Sequence, residues 1–215
     1  MNTEQIPLLK DVYLMQPDDI GRFAVTLADG FSQYALFQHI CDGKYDRDKM
    51  CLFWTLTLAL LPDNAICMAD SKEANSVLIY IRPQSKEASL FSYIKEGGLK
   101  MLLKFGIKGI VRLMRFEATT KRIAKRHQTS NDGYLMAFAT RLDKQGQHYG
   151  KPLMEALLSH LDATGEGCYL ETLKASNVGL YEHFSFELKE HINMHLGNLP
   201  LYAMHRPGGK LLHFR

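Results

Sequence analysis

The chain has 215 residues, 46% hydrophobic and 23% charged, with a formal net charge of +3. That length supports one sizeable core and is short for two, so a single domain over residues 1–215 is expected, and the composition excludes a disordered chain. Four scattered cysteines, Cys41, Cys51, Cys67 and Cys168, make no CxxC pair and no metal-finger spacing. They read as reduced thiols of a cytosolic protein, with no metal site expected.

In chain order, the start MNTEQIPLLKD has no basic stretch followed by an apolar run, so no secretory signal is read there. Residues 11–15 predict a short strand. Asp18-Asp19 then caps a helix with Ile20, Phe23, Ala24, Leu27 and Ala28 on one face, ending near Gly30. Further helices are expected over Ser32 to Cys41 and Arg47 to Leu61. The apolar run from Leu52 to Leu61 is interrupted by two threonines and falls short of the roughly 20 residues that span a bilayer. No membrane span is expected, and the location reads as cytoplasmic.

Strands at Ala65–Ala69 and Ser76–Ile81 predict a hairpin, closed by Arg82-Pro83. The stretch from Lys95 to Arg126 reads as helical, with breaks at Gly97-Gly98, Gly106 and Gly109. It holds ten basic residues against Glu96 and Glu117, a net +8, and leaves the rest of the chain at −5. It reads either as a solvated helical face or as a surface for an acidic partner or a membrane. Nucleic acid is not expected, because no aromatic interleaving accompanies the charge.

After a polar loop at His127–Gly133 comes a buried strand, Tyr134 to Thr140, then a polar turn from Arg141 to Gly150. A helix from Lys151 to Thr164 follows, with Leu153, Leu157 and Leu161 on one stripe. A strand at Cys168–Leu173 and a short helix at Asn177–Phe184 come next. Phe186 to Leu196 alternates, which predicts a half-exposed antiparallel strand with Phe186, Leu188, Ile192, Met194 and Leu196 on one face. His191 and His195 share the other face two side-chain steps apart, which is no zinc pair. A last strand covers Leu201–His205.

A strand running through a glycine-bearing turn into a helix is a general phosphate cradle, because unpaired N–H groups and the helix dipole converge there. Here the turn reads Gln147-His-Tyr-Gly150-Lys-Pro152. It follows Tyr134-Leu-Met-Ala-Phe-Ala-Thr140 and precedes Leu170-Glu-Thr-Leu-Lys-Ala-Ser-Asn177-Val-Gly-Leu-Tyr181-Glu-His-Phe-Ser-Phe186. In content, order and spacing this resembles the GNAT N-acetyltransferase superfamily, whose signature is Gln/Arg-x-x-Gly-x-Gly/Ala, then an Asn and, four residues on, a Tyr. The resemblance is tight over Tyr134–Phe186 and extends in layout to the strand–Pro-Asp-Asp–helix opening and to Val77–Pro83.

It implies an α+β fold, with a mixed, mostly antiparallel central sheet flanked by helices on both sides. It also implies acetyl-CoA as cofactor, with a cofactor-binding core at about 134–186. Phe138, Ala139 and Thr140 would offer backbone groups to the pantetheine, and the amides of His148, Tyr149, Gly150 and Lys151 would surround the pyrophosphate. Gln147 would brace the turn, Asn177 would bond the pantetheine and Tyr181 would protonate the departing thiolate. Pro152, where the family has Gly or Ala, removes one N–H from the cradle. Ser185 replaces a glycine.

An amine must lose a proton before it attacks, and Glu171 is the candidate base, its alternative being a rim salt bridge. The alternative for Tyr181 is a core tyrosine. The leading expectation is acetyl transfer to a primary amine of a small molecule or peptide. The others are a catalytically silent GNAT-fold module that binds CoA or a partner, favoured by Pro152, and a membrane-associated protein using the basic helices. Phe31–Leu61 and Phe186–Tyr202, where the acceptor is usually chosen, carry no diagnostic motif, and a homodimer is compatible with the sequence.

Overall fold

The computed structural model describes Leu9 and residues 11–85 and 94–209. A two-residue strand β1 (Tyr13–Leu14) leads through a 3-10 turn into α1 (Ile20–Gly30). The turn is fixed by Asp19, whose carboxylate accepts the Gln16 N–H at 2.9 Å and the Tyr13 hydroxyl at 2.8 Å. Next come α2 (Ala35–Ile40) and α3 (Arg47–Ala59), the latter capped by Asp46, which accepts the Lys49 N–H at 3.0 Å. The hairpin is β2 (Ile66–Ala69) and β3 (Ser76–Ile81). A π-helical turn at Ile94–Gly98 runs into the long α4 (Leu99–His127). Then follow β4 (Asp132–Thr140), α5 (Lys151–Thr164), β5 (Gly167–Thr172), α6 (Ser176–His183), β6 (Glu187–Met194) and β7 (Leu199–Arg206).

The strands form one sheet in the order β1-β2-β3-β4-β5-β7-β6, antiparallel except where β4 lies parallel to β5. One apolar cluster joins α1–α4 to the sheet face carrying Val77, Ile79, Tyr169 and Ala203. A second joins α5 and α6 to the opposite face, with Leu78, Tyr80, Leu170 and Met204. The sheet is therefore mixed, mostly antiparallel and covered by helices on both sides, as its alternating buried side chains demand.

Differences from the sequence reading have local causes. The helix expected from Ser32 begins at Ala35 because the Ser32 hydroxyl and N–H both close the end of α1 on the Asp29 carbonyl, and Tyr34 is extended. Gly97 and Gly106 do break helical geometry, with φ of 116° and 65°. Gly109 does not: the helix continues there, and a Cβ would come within 3.2 Å of the Ile40 carbonyl oxygen, so this glycine serves close packing against α2. In β6 the register shifts between Leu188 and Glu190. That bulge breaks the expected alternation, which leaves Leu188 exposed while Ile192 and Met194 pack inward. β4 starts two residues earlier than read, because Asp132 and Gly133 already pair with Gly167 and Cys168.

Candidate functional site

β4 and β5 part early. They pair only at Asp132–Gly167, Gly133–Cys168 and Tyr134–Tyr169, although β4 runs on to Thr140 and β5 to Thr172. From Leu135 to Thr140, the edge of β4 that faces β5 has no strand partner among the described residues. A free strand edge inside a sheet accepts an extended chain of amides as readily as another strand. A bulge sharpens the parting: Ile79 pairs with Ala137 and Tyr80 with Leu135, so Met136 is the extra residue.

At the open end β4 enters the Arg141–Gly150 turn. Gly146 and His148 take left-handed φ of 74° and 63°. The N–H groups of His148, Tyr149 and Gly150 have no hydrogen-bond acceptor among the described residues, whereas the Lys151 N–H donates to the His148 carbonyl at 3.1 Å. The Gln147 side chain donates to the Asp143 carbonyl at 3.0 Å and Gln145 to the Thr140 carbonyl at 3.1 Å, which ties the turn together. Gly150 lies against the Phe138 ring, where a Cβ would come within 2.7 Å of its Cζ. Pro152 sits in the first turn of α5, where a helix needs no N–H. Three free amides at a helix start make a concavity that suits a phosphate. On the far side Gly30 lets the end of α1 touch β4, since a Cβ would stand 2.8 Å from the Thr140 carbonyl oxygen.

Glu171, near the end of β5, belongs to the Tyr169 face. Burial pushes its carboxyl up to about 7, with the Tyr134 and Tyr169 hydroxyls pulling the other way. Its Oε2 is buried without a hydrogen-bond partner, as is the Tyr169 hydroxyl. The Tyr134 and Tyr169 rings stack with centroids 6.2 Å apart and floor this corner. Tyr181 approaches from the other face, in the cluster of Cys168 and Leu170, edge-on to Phe186. Burial raises its phenol further above the ordinary value, so it stays protonated. Asn177 donates from Nδ2 to the Thr172 hydroxyl at 3.0 Å, which fixes α6 to the end of β5.

The structure thus places Phe138–Thr140 and Gln147–Lys151 at the end of β4, Glu171 near the end of β5, and Asn177 and Tyr181 on α6 just beyond it. Tyr34 was not foreseen. Its hydroxyl accepts the Leu173 N–H at 2.7 Å, and burial, helped by the nearby Glu171 charge, raises its phenol above the ordinary value. The signal was present: Tyr34 is the one hydroxyl-bearing ring in the run Phe31-Ser-Gln-Tyr34-Ala-Leu-Phe37, and a buried phenol needs a partner. A cleft of about 560 Å³ also opens between α4 and β6, lined by Arg115, Arg122, Ile192, Met194 and His195 among others.

No family model matches the sequence, and neither does any curated protein sequence. Solved structures do. The histone acetyltransferase HPA2 and related acetyltransferase from Corynebacterium glutamicum is 17% identical with a TM-score of 0.64, over 92% of this chain and 96% of that one. The C-terminal condensation domain of Ebony, in complex with β-alanyl-dopamine, is 9% identical with a TM-score of 0.55, over 91% and 97%. Ard1 from Thermoplasma volcanium is 12% identical with a TM-score of 0.50, over 92% and 97%. The early parting of β4 from β5, the amide-lined turn and these alignments over almost the whole chain establish that it has the fold of the GNAT acetyltransferases.

Proposed function

We propose that this chain is an acetyl-CoA-dependent N-acetyltransferase acting on a primary amine of a small molecule or peptide. Residues 1–215 form one acyltransferase domain in this reading, with the cofactor-binding core at about 134–186. The observation that carries it is the unpaired β4 edge running into a turn with three free amides. The acetyltransferases among the structural neighbours support it at the level of fold.

The residues fit the cofactor. Phe138, Ala139 and Thr140 would pair with the pantetheine amides along the open edge, with Asn177 holding the far side. His148, Tyr149 and Gly150, with Lys151 beside them on the Gln147-braced turn, would hold the pyrophosphate. Bound acetyl-CoA would supply an activated acetyl thioester. Glu171, with a carboxyl near 7, would take the proton from an incoming ammonium at neutral pH. Tyr181, a protonated phenol on the opposite face, would give a proton to the leaving thiolate.

Calorimetric titration with acetyl-CoA and a thiol-release screen over amines, polyamines and peptide N-termini test this. Tyr181→Phe is expected to lower kcat by roughly 10–100-fold while the Kd for acetyl-CoA stays within about twofold. No binding at millimolar cofactor would overturn the reading. Binding without thiol release on any amine would instead favour a silent CoA-binding module, for which Pro152 and the engaged Lys151 N–H speak.

A further inference from the structure

Two rows of side chains run side by side along the first half of α4. Leu99, Leu103, Ile107 and Val111 recur every fourth residue, with Met114 one turn beyond. Lys100, Lys104, Lys108 and Arg112, then Arg115, each follow one position later. Residues four apart share a helix face, so on each side of the Gly106 break an apolar stripe lies beside a basic one. The core side of the helix is taken by Met101, Phe105 and Gly109. The apolar stripe is therefore surplus to the core: Leu103 is 78% exposed, Ile107 75%, Leu99 63% and Met114 62%. Singly exposed leucines are ordinary, but five exposed apolar residues between Leu99 and Met114, each beside a cation, mark a contact surface.

The charges say what covers it. No acidic residue occurs from Gly97 to Phe116, and among the described residues Arg112 alone of the five cations has an acidic partner, Asp42. A second copy packed symmetrically on this face would set two unneutralised cationic rows against each other, which costs free energy. We propose that this face of α4 docks on an anionic lipid surface, with the leucine row in the acyl boundary and the lysine row on the headgroup phosphates. The helix lies on such a surface and does not cross it; among the described residues no helix is long and apolar enough to span a membrane.

The test uses the full chain with phosphatidylcholine vesicles, with and without about 30 mol% phosphatidylglycerol, in co-sedimentation. Binding to the anionic vesicles at low salt is expected, at least about tenfold weaker to phosphatidylcholine alone or in about 0.5 M salt. Lys100→Glu with Lys104→Glu and Lys108→Glu should weaken it by roughly 100-fold or more, and Leu103→Glu with Ile107→Glu by at least about tenfold. All five positions are exposed, so the variants should keep the wild-type circular dichroism and acetyl-CoA affinity. The second readout separates this docking from the proposed acetyl transfer. No sedimentation with anionic vesicles, or binding indifferent to the lysine reversals, overturns the proposal. So does a wild-type dimer that Ile107→Glu splits while vesicle binding is unchanged.

Discussion

The two ends of the β4–β5 seam are built on opposite terms. At the paired end, Glu166 accepts the Tyr80 hydroxyl at 2.9 Å and two Arg82 bonds at 2.7 and 3.1 Å. Beside it Asp132 accepts the Thr129 N–H at 2.6 Å and meets His205 Nε2 at 3.0 Å. At the parted end Glu171, five residues along, keeps a buried oxygen with no partner. Burial pushes both carboxyls up, yet contacts with His160, Arg82 and Tyr80 hold Glu166 down at about 2, while Glu171 stands at about 7. One glutamate is spent on holding the strands together. The other is left able to exchange a proton at neutral pH, which is the property that acid–base chemistry needs.

The sharpest way to break this contrast is to spoil the paired end. A Cβ on Gly133 would stand 2.1 Å from the Tyr80 hydroxyl and 2.2 Å from its Cζ, so Gly133→Ala must swing that ring off Glu166. A loss of about 4 kcal/mol or more is expected in urea unfolding. Glu166→Gln should cost somewhat less, about 3 kcal/mol near neutral pH, because it leaves the Arg82 charge and Tyr80 short of their partner. Glu166 is held below its ordinary value, so its contribution is present above about pH 5 and disappears as pH falls toward 2. The gap between wild type and Glu166→Gln should close over that window.

Glu171→Gln should show the opposite slope. A carboxyl raised to about 7 favours folding while it is protonated, and that contribution is lost as pH rises from the ordinary value through 7. Against wild type, the variant should gain stability with pH, by on the order of 2 kcal/mol at pH 8 and little at pH 4. Under the proposed function its turnover should fall about 100-fold, and the acidic limb of the wild-type pH profile, near 7, should vanish. A variant with the wild-type limb would remove Glu171 from the chemistry without touching the fold.

What the sequence made legible follows the same division. The turn from Gln147 to Pro152 opens the expected helix, and Asn177 and Tyr181 lie on the expected short helix, because local chemistry, a left-handed turn and an amphipathic period behind it, specifies the turn and its helix. The parting of β4 from β5 was not legible, since it depends on where two distant strands stop pairing, and period-2 patterning continues past that point. Glu171 was singled out for its strand, but its raised carboxyl comes from burial in the folded sheet, which no local pattern reports, against the pull of the Tyr134 and Tyr169 hydroxyls, 37 and 2 residues away. Glu166 and Tyr34 went unread for the same reason: their partners, Arg82 and Leu173, are 84 and 139 residues distant.

Tyr34 offers the finest test, because it touches the open end through a neutral group. Its hydroxyl accepts the Leu173 N–H just past the last residue of β5, and burial raises the phenol, so its charge does not change across the working range. Tyr34→Phe removes one acceptor and should cost about 1 kcal/mol, the value of a lost hydrogen bond to a part-buried donor. If that is all the hydroxyl does, the cost is flat from about pH 5 to 9, unlike the two slopes of the glutamates. A cost that instead follows Glu171 through pH 7 would show that Tyr34 acts on the carboxylate, and that the open end is a coupled proton site and not merely a gap between strands.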